Sequence, residues 1–184
     1  MTHYIDIRLF PKKEMRENVL LNQIYTAFHK RLYDLKSTNI AVSFPEYRLK
    51  LGRLFRIHGT KEALEKLEEK EWLVSKYKEF CKISKIETIP EKIEHRTVSR
   101  IQQNMTEAKL RRLIKRGTIP EEDVKKYRIK MMQGGLENPY VELVSMSNGK
   151  LHRRFIEFGE LQEKEIKGEF DSFGLSKTST VPWF

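Results

Sequence analysis

HYIDIRLFPKKEMRENVLLNQIYTAFHKRLYDL, residues 3 to 35, holds two hydrophobic periods in direct succession. In HYIDIRL apolar and polar residues alternate, the period of a strand, with Tyr4, Ile5, Ile7 and Leu9 supplying its bulk. From about Met15 to Leu35, Leu20, Ile24, Phe28, Leu32 and Leu35 recur at helical spacing. Working outward, short strands are predicted at residues 40 to 44 and 52 to 58. Thr60 is placed to cap a second helix from Lys61 to about Lys70, whose Glu and Lys side chains pair at helical spacing. Residues 78 to 88 contain one more strand-like stretch. The order βαββαβ is that of a ferredoxin-like fold, so the expectation is an α+β chain with a ferredoxin-like domain over 1–92.

The second region, 93–184, is organised differently. A short extended stretch over 98 to 102 leads to a helix that begins near Thr106 and stops at Gly117. Pro120, followed by Glu121, Glu122 and Asp123, opens another helix, which ends at Gly134 and Gly135. Residues 140 to 147 and 150 to 158 read as two strands separated by Asn148 and Gly149 alone. Both central residues of a type I′ turn need positive φ, which makes this dipeptide a strong hairpin signal.

Charge points to a partner. The chain has 184 residues, with 36 Lys and Arg against 26 Asp and Glu, a formal +10. A polyanion answers that excess, and a solvated basic surface is the plainer alternative. The helix near 106 to 116 decides between them. On a helical wheel Lys109, Arg111, Arg112, Lys115 and Arg116 spread over roughly 160° without an acid among them, while Leu110, Leu113 and Ile114 take the other side. An unneutralised basic arc suits phosphates. Arg100 and Gln102 stand in alternation just before it, and their side chains can pair with guanine and adenine edges respectively.

If Asn148 and Gly149 form the whole turn, Ser145 lies opposite His152, and one face of the ribbon collects Ser145, Ser147, Lys150, His152 and Arg154. Such a set suits a ribose and its phosphates, although a solvent face of a sheet is also polar. His29 falls one turn after Tyr25, at the edge of the apolar arc of the first helix. A lone histidine there is more often structural, so position alone assigns it no task. No HxH, HExxH or Gly-rich phosphate loop occurs, and no metal or other cofactor is expected. Cys81 is the only cysteine, and no apolar run approaches the ~18 residues that span a bilayer. A reducing cytoplasm and no membrane association fit these facts.

Short motifs spread over nearly the whole chain make the sequence resemble the repeat-processing endoribonucleases of type I-F CRISPR systems, the Csy-type members of the wider Cas endoribonuclease superfamily. They are HYIDIRL at 3 to 9, His29, VSFPEY at 42 to 47, LFRIHG at 54 to 59, VSRIQ at 98 to 102, LRRLIKR at 110 to 116, FI at 155 and 156, GLSK at 174 to 177 and the closing VPWF. The resemblance implies an N-terminal ferredoxin-like domain, then a region with an Arg-rich helix that enters the major groove of a repeat stem-loop through Arg111, Arg112, Lys115 and Arg116. Arg100 and Gln102 would read bases at the foot of the stem. The ribose 2′-hydroxyl beside the scissile phosphate would attack in line, with His29 taking or orienting its proton, Ser145 holding the ribose and Ser147 a second hydroxyl nearby. The product would stay bound in a surveillance complex with other subunits. A non-cleaving subunit that only holds the hairpin is the alternative, because the tyrosine that the family places just before GLSK is here Phe173. Where relatives carry a stacking aromatic on the hairpin, His152 stands, and it is expected to share in stacking and in catalysis.

Overall fold

The computed structural model describes residues 1–102, 107–133, 137–144 and 149–184, the backbone alone for 130–133. Met1–Arg100 together with Asn138–Phe184 form one compact unit, and Ile101–Glu137 a second.

In the first unit the alternation of residues 3 to 9 becomes β1 (His3–Leu9), with Ile5, Ile7 and Leu9 buried. The helical period becomes α1 (Glu17–Leu35), which buries Leu20, Leu21, Ile24, Tyr25, Phe28 and Leu32. It ends where Lys36 turns left-handed at φ 50°. β2 (Ala41–Ser43) and β3 (Leu54–Gly59) follow, then α2 (Lys61–Glu68). Thr60 caps α2 by accepting a 3.2 Å hydrogen bond from the Ala63 amide, one of the donors a helix start leaves unpaired. The stretch after residue 70 opens with one helical turn, α3 (Ser75–Lys78), before β4 (Cys81–Ile83) and β5 (Glu87–Thr88). All pairings are antiparallel: the sheet runs β2-β3-β1-β4, with β5 also on β1.

A second antiparallel sheet is built from β6 (Glu94–Ile101), β7 (Tyr140–Val144), β8 (Leu151–Phe158) and β9 (Thr180–Trp183), in the order β7-β8-β6-β9. Its Val98, Val141, Leu143, Ile156 and Val181 join one continuous core with α1 and the first sheet.

The register of the hairpin differs from the expected one. His152 pairs with Leu143 and Arg154 with Val141, a register two residues away from the expected one, so Ser145 is not the partner of His152. Side chains alternate with period two, so a shift of two leaves every residue on its predicted face, and the hydrophobic pattern cannot tell the two registers apart. Ser145, Ser147 and Asn148 lie outside the described residues; Gly149 has the positive φ expected of it, 65°.

β9 closes the unit. The amide of Phe170 donates to the Thr38 carbonyl (2.9 Å), Val42 to Gly174 (3.0 Å) and Ser176 to Val98 (3.0 Å), so the segment before β9 ties α1's exit to both sheets. Gly174 sits at φ 71°, and a Cβ there would come within 3.1 Å of a Val42 methyl and 3.2 Å of its amide nitrogen. Buried Arg56 forks onto Asp6 at 2.6 and 2.9 Å and also donates to the Phe184 carbonyl at 2.7 Å.

The second unit contains α4 (Glu107–Lys115) and α5 (Glu121–Gln133). α4 ends as its glycine requires: Gly117 at φ 66° donates to Ile114, and Thr118 to Leu113. Leu110 is buried, while Lys109, Arg111, Arg112, Lys115 and Arg116 are exposed. Thr106, Gly134 and Gly135 lie outside the described residues. Among the described residues no helix is long and apolar enough to cross a membrane.

Candidate functional site

His29 projects from α1 one turn after buried Tyr25, half-buried at the rim of the core. Its Nδ1 lies 2.7 Å from the Ser172 carbonyl oxygen. A carbonyl can only accept, so Nδ1 carries the hydrogen and the neutral ring keeps a lone pair on Nε2. The loop that brings this carbonyl is itself fastened. Asp171 accepts at one carboxylate oxygen from the amides of Phe173 (2.9 Å) and Leu175 (3.0 Å), and the Tyr25 hydroxyl donates to the Phe173 carbonyl (2.9 Å).

Phe173 lies flat on the imidazole, with ring centroids 3.5 Å apart and planes 11° from parallel. The Arg154 guanidinium carbon lies 3.4 Å from the centroid of the same phenyl ring. Two groups that close to one centroid cannot share a face, so imidazole, phenyl and guanidinium form a three-layer stack. Burial pushes His29 below its ordinary pKa and the nearby Arg154 charge adds to the effect, against the Ser172 hydrogen bond and Asp171, which favour the proton. Arg154 is itself lowered, mainly by burial, and its buried Nε has no hydrogen-bond partner among the described residues.

Around the stack is a cleft of about 810 Å³. One wall is α1, with Thr26, His29, Lys30 and Tyr33; the other is the second sheet, with Leu143 and Val144 of β7, His152, Arg153 and Arg154 of β8, and Arg100 of β6. The structure therefore gathers His29, Arg100, His152, Arg154 and Phe173, five of the residues singled out from sequence. Gln102 is exposed just past β6, and Lys150 is exposed just before β8. The cations of α4 belong to the second unit. Among the described residues no three His, Cys, Asp or Glu side chains gather where they could hold a metal ion.

Sequence reading missed the Ser172 carbonyl, since a backbone oxygen leaves no trace in the residue type. It also missed Lys30 and Tyr33, although Tyr33 lies four residues beyond His29, the spacing of neighbours on a helix face.

The cleft offers a fixed proton acceptor beside several cations, which suits proton transfer next to a phosphate. The family described as CRISPR-associated protein (Cas_Csy4) matches residues 4–184. The chain is similar to a protein named CRISPR-associated endonuclease Cas6/Csy4 from Escherichia coli (strain UTI89 / UPEC), 33% identical over 185 residues and 100% of both chains. It is similar to one of the same name from Pseudomonas aeruginosa (strain UCBPP-PA14), 35% identical over 188 residues, again 100% of both.

Proposed function

The chain belongs to the Csy4 family of CRISPR-associated proteins, and on that premise we propose that it is an endoribonuclease that binds the repeat hairpin of precursor CRISPR RNA and cuts beside the stem. The relatives' shared name, endonuclease, supports the enzymatic part. The observation that carries the mechanism is the His29 ring, held through Nδ1 by Ser172 with Nε2 left to accept a proton.

The nucleophile is the substrate's own 2′-hydroxyl. Its proton passes to His29 Nε2, the 2′-oxygen bonds to phosphorus, and the bond from phosphorus to the 5′-oxygen breaks. That oxygen leaves as a 5′-hydroxyl with a proton from solvent water, to which His29 Nε2 returns the one it took, and a 2′,3′-cyclic phosphate remains on the other fragment. No water is consumed and no metal hydroxide is needed, so the reaction runs without a cofactor. Arg154, stacked on Phe173 beside the imidazole, stabilises the phosphate charge that builds up in the transition state. Ser145 holds the reactive ribose with Ser147 near it, and His152 stacks on the foot of the stem and shares in catalysis.

Binding rests on the region from residue 93 onward, with residues 1–92 as a ferredoxin-like frame that presents His29. The sheet order with β1 inside it supports that reading of the frame. Arg100 and Gln102 read bases at the foot of the stem; Lys109, Arg111, Arg112, Lys115, Arg116 and Lys150 meet its phosphates and groove. The protein stays on the mature guide RNA and joins other subunits of a type I-F surveillance complex in the cytoplasm. A hairpin-holding subunit that does not cut is the second reading, favoured by one observation: Phe173 brings no hydroxyl to His29.

Repeat RNA incubated in EDTA with the wild type and with His29→Ala separates the two. Cleavage by wild type, with a loss of about 10²–10⁴-fold in the variant and unchanged affinity, is expected. Binding without cleavage by either protein gives the second reading. A single 2′-deoxy substitution at the cut site should bind and stay whole.

A further inference from the structure

We propose that the α1 wall of the cleft is a binding subsite for the first unpaired nucleotide on the departing side of the cut, with Tyr33 stacking on its base and Lys30 meeting its phosphate. This rests on the cleavage reading above and goes beyond it, since nothing in that reading uses α1 past His29.

Tyr33 is 68% exposed, the most exposed large aromatic among the described residues. Single exposed apolar side chains are ordinary on protein surfaces. Tyr33 is set apart because it lines the same cleft as His29, one helical turn further along the same helix. Its hydroxyl makes no hydrogen bond, and the exposed Lys30 ammonium forms no ion pair, among the described residues. The pair thus presents an open aromatic face and an uncommitted cation side by side.

The chemistry says what should lie there. In-line attack puts the 2′-oxygen and the departing 5′-oxygen on opposite sides of phosphorus, so the two nucleosides flanking the phosphate diverge. The wall of Arg100, His152 and Arg154 suits the nucleoside that carries the attacking hydroxyl, which joins the stem. The departing nucleoside is left to the α1 wall. The volume agrees: about 810 Å³ is in the upper part of the range of about 300–1,000 Å³ for a small-molecule site, room for more than one nucleotide. An aromatic face with a cation beside it is the usual platform for an unpaired base, and it tolerates any base because each has a π-face.

The test is single-turnover cleavage of repeat RNA carrying either a normal or an abasic nucleotide immediately 3′ of the cut. Tyr33→Ala, Tyr33→Phe and wild type are compared, with thermal melts to verify the fold. Removing the base should slow wild type about tenfold, and Tyr33→Ala should show the same loss on the normal substrate and no further loss on the abasic one. Tyr33→Phe should cut both substrates as wild type does, because stacking needs the ring alone. Affinity for the cleaved stem-side product should not change in any variant. A Tyr33→Ala protein that cuts normally, or that loses as much on abasic as on normal RNA, overturns the subsite. A wild type that cuts neither RNA overturns the cleavage reading itself, and the subsite with it.

Discussion

α1 and α4 are both amphipathic helices, yet they are held very differently. α1 buries seven residues, including the side chain of Arg31, whose Nε donates to the Leu67 carbonyl at 3.1 Å. α4 buries only Leu110 and exposes every cation along its length. The difference fits the roles proposed for them. A proton acceptor works only within hydrogen-bond reach of its target, so the helix that carries it must not shift. Attraction between a cation and a phosphate falls slowly with distance, so a basic helix tolerates looser packing.

The comparison breaks first at the core. Phe28, fully buried and set edge-on against Phe55 and Trp72, should cost about 3–5 kcal/mol of folding stability when replaced by Ala. Ile114→Ala on α4, at 43% exposure, should stay within about 0.5 kcal/mol. Urea unfolding of both variants measures the contrast, and equal losses would show that α4 is packed as firmly as α1. Next comes charge: Arg111→Ala combined with Arg112→Ala should weaken repeat-RNA binding by about tenfold or more and flatten the log–log salt slope by about 0.7–0.9 per residue, with an unchanged melting temperature. A loss of cleavage at saturating protein instead would assign these arginines to the chemistry. The smallest effect concerns His29. Its imidazole should titrate below the ordinary histidine value of about 6.5 in an NMR pH series, and Arg154→Gln, which removes a positive neighbour, should move that midpoint up. The acid limb of cleavage should shift in the same direction, because the base works only when unprotonated.

Much of the frame was legible. β1 and α1 follow from two clean periods, Thr60 caps the helix it was assigned, and Gly117 ends α4. β9 was not, because Pro182 within TVPW argues against a strand. The structure reconciles the two by placing β9 at the edge of its sheet, with Pro182 paired to His95 and only one side needing hydrogen bonds. The hairpin register escaped because parity constrains the face of a strand and not its slide. At the site, the stack of His29, Phe173 and Arg154 joins residues from three distant segments, and such contacts exist only once the chain has folded. Phe173, read from sequence as a missing hydroxyl, turns out to lie flat against the imidazole while the neighbouring carbonyl makes the hydrogen bond.

The separation of 143 positions between His29 and Ser172 also has a consequence during synthesis. A ribosome releases β1, α1 and the first sheet long before it releases the loop that steers the imidazole, and the final strand comes later still. Until then the imidazole of His29 lacks the carbonyl oxygen that holds its Nδ1. On the proposed cleavage reading, an RNA that meets the growing polypeptide before that loop emerges meets positive charge without a poised base.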